Sequence, residues 1–154
     1  MNTKVAKLII EVKFSRRPHR HWNLFTATKN RMASNRDSTP ALLDRLSRKV
    51  NPSVQQRVAE NGSANSQTLD RLSLNESSDV RAAIAQNGTT LEATAILLSQ
   101  DSNCDVRYAI ASNPGTRKEI LSELAEDENP FVQHRARKTQ DRIEAEPLDQ
   151  IPGS

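Results

Sequence analysis

A 26-residue step runs through most of this chain. Asn61, Asn87 and Asn113 are 26 residues apart, and one step further back lands on Asn35. Leu46, Leu72, Leu98 and Leu124 keep the same interval. So do Val54, Val80, Val106 and Val132, then Val58, Ile84, Ile110 and Ala136, and finally Ala33, Ala59, Ala85 and Ala111. A fixed apolar pattern with a period of roughly 20–50 residues is the mark of a solenoid, in which each unit buries a narrow seam against its neighbours. Composition fits that arrangement better than a closed globule, because only 35% of the residues are hydrophobic and 3% are aromatic.

One unit, residues 88–113, shows how the period is built. Thr89 or Thr90 can cap a helix start through its side-chain oxygen. Leu91, Ala95 and Leu98 then lie at i, i+4 and i+7, one helical face. The turn-forming run Gln100-Asp101-Ser102-Asn103 interrupts the pattern. Asp105 opens a second helix, where a carboxylate suits the positive dipole end. Val106, Ala109, Ile110 and Asn113 again follow i, i+3, i+4 and i+7. The unit is therefore two short antiparallel helices with a tight connection. Pro40 and Pro130 stand where helices begin. Asn61-Gly62 and Asn87-Gly88 stand where second helices end, with glycine expected to take a left-handed stop.

The step assigns four units to about 36–61, 62–87, 88–113 and 114–140. Residues 22–35 match the second half of a unit and are expected to cap the stack, with Trp22 and Phe25 over its exposed end. Residues 1–21 form a separate basic segment. In it Val5, Leu8, Ile9 and Val12 fit an amphipathic helix, whereas Ile10, Val12 and Phe14 fit a strand; the helix is preferred. Arg16 through His21 reads as a basic loop. Residues 141–154 read as an acidic, disordered tail.

The last units carry a further pattern. Ala111-Ser112-Asn113-Pro114, Thr116, Leu121, Leu124-Ala125, Asp127 and Val132 resemble the variant leucine-rich repeat family. Asp79-Val80-Arg81-Ala82-Ala83 and Asp105-Val106-Arg107 are similar to HEAT-type repeats. The resemblance covers about residues 36–140. It implies an all-α, right-handed α-solenoid of about four two-helix repeats behind an N-terminal capping helix. Some members of the family hold an iron–sulfur centre in an N-terminal cysteine cluster. The single cysteine here, Cys104, excludes that cluster, and no cofactor is implied. The step of 26 is slightly longer than the family's usual unit, which leaves the first helices open to being α or partly 3₁₀.

Charge is unevenly spread. Residues 1–37 hold nine Lys and Arg against Glu11 and Asp37, a net +7, and the remaining 13 basic and 17 acidic residues give −4. No apolar run approaches a membrane span, and Lys7, Glu11 and Lys13 interrupt any signal-like stretch near the start. These features, with one cysteine, lead to the expectation of a cytoplasmic protein without a membrane partner.

The chain offers little for catalysis. Its four glycines form no phosphate-binding loop. His19, His21 and His134 are the only histidines, and no Ser-His-Asp or Cys-His motif is present, so catalytic and metal sites are both expected to be none. If the inward residues of a second helix are Val80, Ala83, Ile84 and Asn87, then Ala82 and Gln86 face away. The same offsets select Gln56, Glu60, Tyr108, Ser112, His134 and Lys138. In HEAT-like stacks that side lines a concave surface. Helices spaced about 8–10 Å apart make it roughly 30–40 Å long, enough for a peptide or a partner helix.

Gln56, Glu60, Gln86, Tyr108, Ser112, His134, Arg135 and Lys138 are thus the protein-binding set of a non-catalytic adaptor. A homodimer through an uncapped end of the stack is a further expectation, because Phe131 lies near one end. The alternative is a nucleic-acid binder using Arg16, Arg17, Arg20, Trp22, Lys29 and Arg31, with Phe25 among them to stack bases. An enzyme of the HEAT-like type, such as a DNA glycosylase or a lyase, ranks last. Those need a catalytic aspartate and an aromatic cleft, or work as paired chains, and this chain has one Trp and one Tyr. Arg81 and Arg107 read as rungs of an Asp–Arg ladder with Asp79 and Asp105, or as a row of guanidinium groups for an acidic ligand.

Overall fold

The computed structural model describes residues 18–48 and 51–145, with side chains from Phe25 onward, and every element among them is a helix. In chain order these are α1 (Pro18–Ser34), α2 (Pro40–Ser47), α3 (Pro52–Glu60), α4 (Ser66–Leu72), α5 (Ser78–Ala85), α6 (Glu92–Ser99), α7 (Cys104–Ser112), α8 (Lys118–Leu124) and α9 (Pro130–Ala145). The first helices α2, α4, α6 and α8 are α-helical, not 3₁₀.

The seven inner helices have only seven to nine residues each. Isolated helices below about 12–15 residues are marginal in water, so packing and end caps must hold these. Packing follows the 26-residue step. Helices α1, α3, α5, α7 and α9 contact one another in series, and α2, α4, α6 and α8 lie beside them. The four apolar columns read from the sequence are all buried. Each enclosed valine or leucine contributes roughly 1.5–3 kcal/mol relative to exposure.

Five starts are capped by side chains, that of α9 by Asn129 Oδ1, which accepts from the Phe131 N–H at 2.9 Å. Thr39 Oγ1 accepts from the Leu42 N–H, and Asn51, Asn65 and Asn103 Oδ1 accept from the N–H groups of Val54, Thr68 and Asp105. Pro40 and Pro52 stand at the first helical turn, where a missing N–H costs nothing.

Several local expectations are corrected. Neither Thr89 nor Thr90 caps α6; its N-cap is Leu91, which is half exposed rather than core. The two threonines instead donate to the Ala64 and Ile84 carbonyls. Gly62 and Gly88 do not adopt the left-handed conformation, since α3 ends on Asn61 in extended geometry and α5 on Gln86 in helical geometry. Residues Pro18–His21, read as loop, form the first turn of α1. Helix α9 continues to Ala145, five residues past the expected boundary at 140. The basic segment before Pro18 and the tail after Ala145 lie outside the described residues.

Two polar ladders tie successive turns together. Asn61 Nδ2 donates to the Ala33 and Asn35 carbonyls at 2.7 and 2.8 Å, and its Oδ1 accepts from the Ser63 N–H. Asn87 does the same one step on, with Ala59, Asn61 and Thr89. Asn113 reaches only Ala85, at 2.9 Å, and accepts from Gly115. The carbonyls it satisfies lie at helix ends, where no intrahelical donor remains. Ser38, Thr90 and Thr116 supply hydroxyl donors to the carbonyls of Met32, Ile84 and Ile110 in the same way.

The second ladder uses arginine. Arg81 grips Asp101 with two bonds of 2.6 and 2.9 Å, and Arg107 grips Asp127 at 2.7 and 2.9 Å. Each also donates Nη1 to the carbonyl six residues before it, Asn75 or Asp101. One step earlier a neutral pair takes the place, with Asn75 Nδ2 donating to Gln55 Oε1. Asp79 and Asp105, the partners expected from the sequence, are exposed instead.

Candidate functional site

The second helices present a side that lies largely outside the core, with Ala82 packing against it. Two columns of side chains run along it. One passes through Asn30, Gln56, Ala82, Tyr108 and His134, the other through Ser34, Glu60, Gln86, Ser112 and Lys138. These places turn away from the buried valines and alanines of the same helices, and none of the ten is fully buried.

The predicted protein-binding set divides into two groups on this side. Gln56, Glu60 and Gln86 come together around a cavity of about 370 Å³ between α3 and α5, with Asp79, Ala82, Ala83 and Asn87. Its polar groups are partly spent on one another: Gln56 Nε2 donates to Glu60 Oε1 at 3.0 Å, and Arg57 pairs with the other oxygen at 2.7 Å. The second group joins α7 to α9. Arg135 Nε donates to Ser112 Oγ at 2.9 Å, and its guanidinium carbon lies 5.9 Å from the centre of the Tyr108 ring. His134 and Lys138 extend outward on α9.

Tyr108 also walls a pocket of about 280 Å³ with Cys104, Asp105, Asn129, Phe131 and Val132. Phe131 is 77% exposed and Tyr108 41%. Phe131 stands outside the protein-binding set predicted from the sequence, although it lies three and seven residues before His134 and Lys138, on the same helical face. Another apolar patch, Leu74 with Leu97, lies beside Arg81 and Asp101 near the first helices.

Arg81 and Arg107 are not available to a ligand. Their side chains are 16% and 10% exposed, with Asp101 and Asp127 more enclosed still. Burial raises the Asp101 carboxyl, but the Arg81 guanidinium and the Asn103 N–H outweigh it and hold the group below its ordinary value. The Arg107 guanidinium lowers the Asp127 carboxyl, against burial and with help from the Asn129 N–H. Both arginines are held above their usual value mainly by the bond to their own aspartate. The ligand reading of this column is therefore replaced by a structural one.

The alternative basic set divides differently. Arg16 and Arg17 lie outside the described residues. Arg20 and Trp22 belong to α1, whose side chains are described only from Phe25. Lys29 is half-buried, while Arg31 and Phe25 are exposed. Among the described residues no cluster of His, Cys, Asp or Glu is arranged to hold a metal ion. No helix among them is long and apolar enough to cross a membrane. No protein-family model, curated protein or solved structure matches the chain.

Proposed function

We propose that the chain is a right-handed α-solenoid of the HEAT-like, variant leucine-rich repeat kind. In this reading four two-helix repeats stack behind the capping helix α1 and act as a non-catalytic adaptor in the cytoplasm. A protein or peptide partner lies along the concave side of the second helices, across Gln56, Glu60, Gln86, Tyr108, Ser112, His134, Arg135 and Lys138. The observation that carries the reading is the pair of side-chain columns on five helices that contact one another in series, none of their residues fully buried, with exposed Tyr108 in one of them lining a pocket with exposed Phe131. Exposed Tyr and Arg of this kind are enriched where interfaces concentrate their energy.

The test is a photo-crosslinking amino acid placed at Gln86 and, in a separate chain, at Leu74 on the other patch. A protein crosslinked from Gln86 and not from Leu74 is the expected result. Crosslinks confined to Leu74 would move the interface to the first helices.

The second reading is nucleic-acid binding through α1 and the basic segment before it. Exposed Arg31 and Phe25 on α1 favour it. Binding of a labelled single-stranded oligonucleotide should then weaken steeply with salt and vanish on removal of residues 1–17. The exposed acids Glu60 and Asp79 beside the α3–α5 cavity argue against a polyanion along the whole side.

A further inference from the structure

The side of the second helices is not uniform. Around α3, α5 and α7 its exposed charges are the carboxylates Glu60, Asp79 and Asp105 and one cation, Arg57, which is paired to Glu60. On α9 the exposed charges are Arg137, Lys138 and Arg142 against Asp141 and Glu144, with Glu144 paired to Lys118 and Arg135 half-buried beside Tyr108. The apolar pocket of Tyr108, Phe131, Val132 and Cys104 sits where this change of sign occurs.

We infer, building on the interaction-face reading above, that this end of the face takes an acidic peptide segment anchored by one large apolar side chain. The pocket sets the anchor. At about 280 Å³ it is smaller than the roughly 300–1,000 Å³ of small-molecule sites. It has room for one large side chain. Phe131 is exposed and lines the pocket with Val132 and Tyr108, so an inserted leucine or aromatic ring would cover apolar surface on several sides.

The charge sets what flanks the anchor. Ser112 engages Nε of Arg135 and leaves the two outer nitrogens of the guanidinium to a carboxylate of the ligand. Lys138 lies two helical turns beyond Phe131, about 10 Å along the axis at 1.5 Å per residue. An extended peptide covers that in about three residues at 3.3 Å each. The favoured ligand therefore carries Asp or Glu about three positions from its apolar anchor. Asp105 on the α7 wall repels a carboxylate on the other side, which fixes the direction in which the peptide lies.

A nucleic acid fits less well. A phosphate chain needs a continuous cationic track, whereas beyond the pocket the side carries the exposed acids Asp105, Asp79 and Glu60, and the exposed cation on α3, Arg57, is paired to Glu60.

The experiment is an array of short synthetic peptides probed with the full, fluorescently labelled chain. Each peptide carries a central Leu, Phe or Trp, flanked on one side by Glu, Gln or Lys at varied spacing. Glu-flanked anchors should bind best, by about tenfold over Lys-flanked ones at low salt, with the optimum near a spacing of three. Phe131→Ser should weaken that binding about tenfold, and Lys138→Glu should reverse the flank preference. Both positions are exposed, so circular dichroism should show an unchanged fold.

Several outcomes overturn the inference. Peptides that ignore flank charge, and that are lost with Gln86→Arg but not with Phe131→Ser, would leave the interaction face standing and sink this assignment. So would an array that binds nothing while a crosslinker at Gln86 still captures a protein; silence in both experiments would remove both readings. Displacement by a single-stranded oligonucleotide that depends on Phe131 would give the pocket to nucleic acid. A dimer in sedimentation that Phe131→Ser dissolves would give it to a second copy. Tighter peptide binding by a chain ending at Ala145 would give it to residues 146–154.

Discussion

The asparagine ladder makes a graded prediction, because its rungs are unequal. Asn87 is 7% exposed. Its Nδ2 donates to the Ala59 and Asn61 carbonyls at 2.6 and 3.1 Å, and its Oδ1 accepts from the Thr89 N–H at 2.9 Å. Asn87→Ala deletes these three bonds, together with the 2.8 Å contact of the Thr89 hydroxyl with Oδ1, and leaves two helix-end carbonyls and one N–H without that partner. At about 1 kcal/mol per bond the loss is about 3 kcal/mol, and more if the buried groups stay dry. Asn87→Asp keeps the acceptor for Thr89 but turns an oxygen toward two carbonyl oxygens, so it should cost at least as much as alanine despite its identical shape.

Asn113 is the control. It makes one donated bond, to Ala85 at 2.9 Å, and accepts one from Gly115. Its side chain is half-buried, so water can replace part of what is lost. Asn113→Ala should cost about 2 kcal/mol or less by the same reckoning. The assay is equilibrium urea unfolding followed by far-ultraviolet circular dichroism, fitted by linear extrapolation, with the slope compared between variants. A shallower slope in Asn87→Ala alone would show the stack parting at that rung instead of unfolding as one unit. The argument is refuted if Asn87→Ala is as stable as the parent chain, or if Asn113→Ala is the more damaging.

The arginine ladder predicts that Arg107→Met, which strands Asp127 and the Asp101 carbonyl, costs about 3 kcal/mol in the same urea assay. The double variant Arg107→Met/Asp127→Leu should recover a large part of it. The pH dependence follows from the lowered carboxyls of Asp101 and Asp127. A carboxyl lowered in the folded state contributes stability that is fully present above its unfolded value, about pH 4, and is lost as pH falls through the folded one. Urea midpoints should therefore change little for this reason between neutral pH and pH 5, then drop in acid, less so in the double variant. At Gly88 an added Cβ meets nothing within 4 Å and the backbone is not left-handed. Gly88→Ala should leave thermal unfolding unchanged or raise stability by about 0.4–1 kcal/mol; a loss would show that the turn needs glycine.

The apolar columns were legible because burial repeats with the step: Val54, Val80, Val106 and Val132 occupy equivalent buried places in successive second helices. Polar partners were not, because they are neighbours in space and distant in sequence. Arg81 stands two residues from Asp79, but side chains at i and i+2 of a helix point to different sides. The partner that meets it, Asp101, is 20 residues away, just before α7. Asn87 likewise reached 26 and 28 residues back. Leu91 looked like core because its spacing matched, yet it precedes the first turn of α6 and half of it meets water.

The site followed a different rule. Columns that keep their residue type from copy to copy turned out to be structural: valine, alanine, the Asn61–Asn87–Asn113 ladder, and Arg81 with Arg107. The column Asn30, Gln56, Ala82, Tyr108, His134 changes type at every step, and so does Ala27, Ser53, Asp79, Asp105, Phe131 apart from its two acids. Nothing in the packing requires these places to agree, so each copy can carry a different side chain without loss of the stack. Variation between copies on an otherwise regular frame is therefore the sequence signal for the face. Applied to the column through Phe131, it marks that residue, like Tyr108, as one that the packing leaves free to vary.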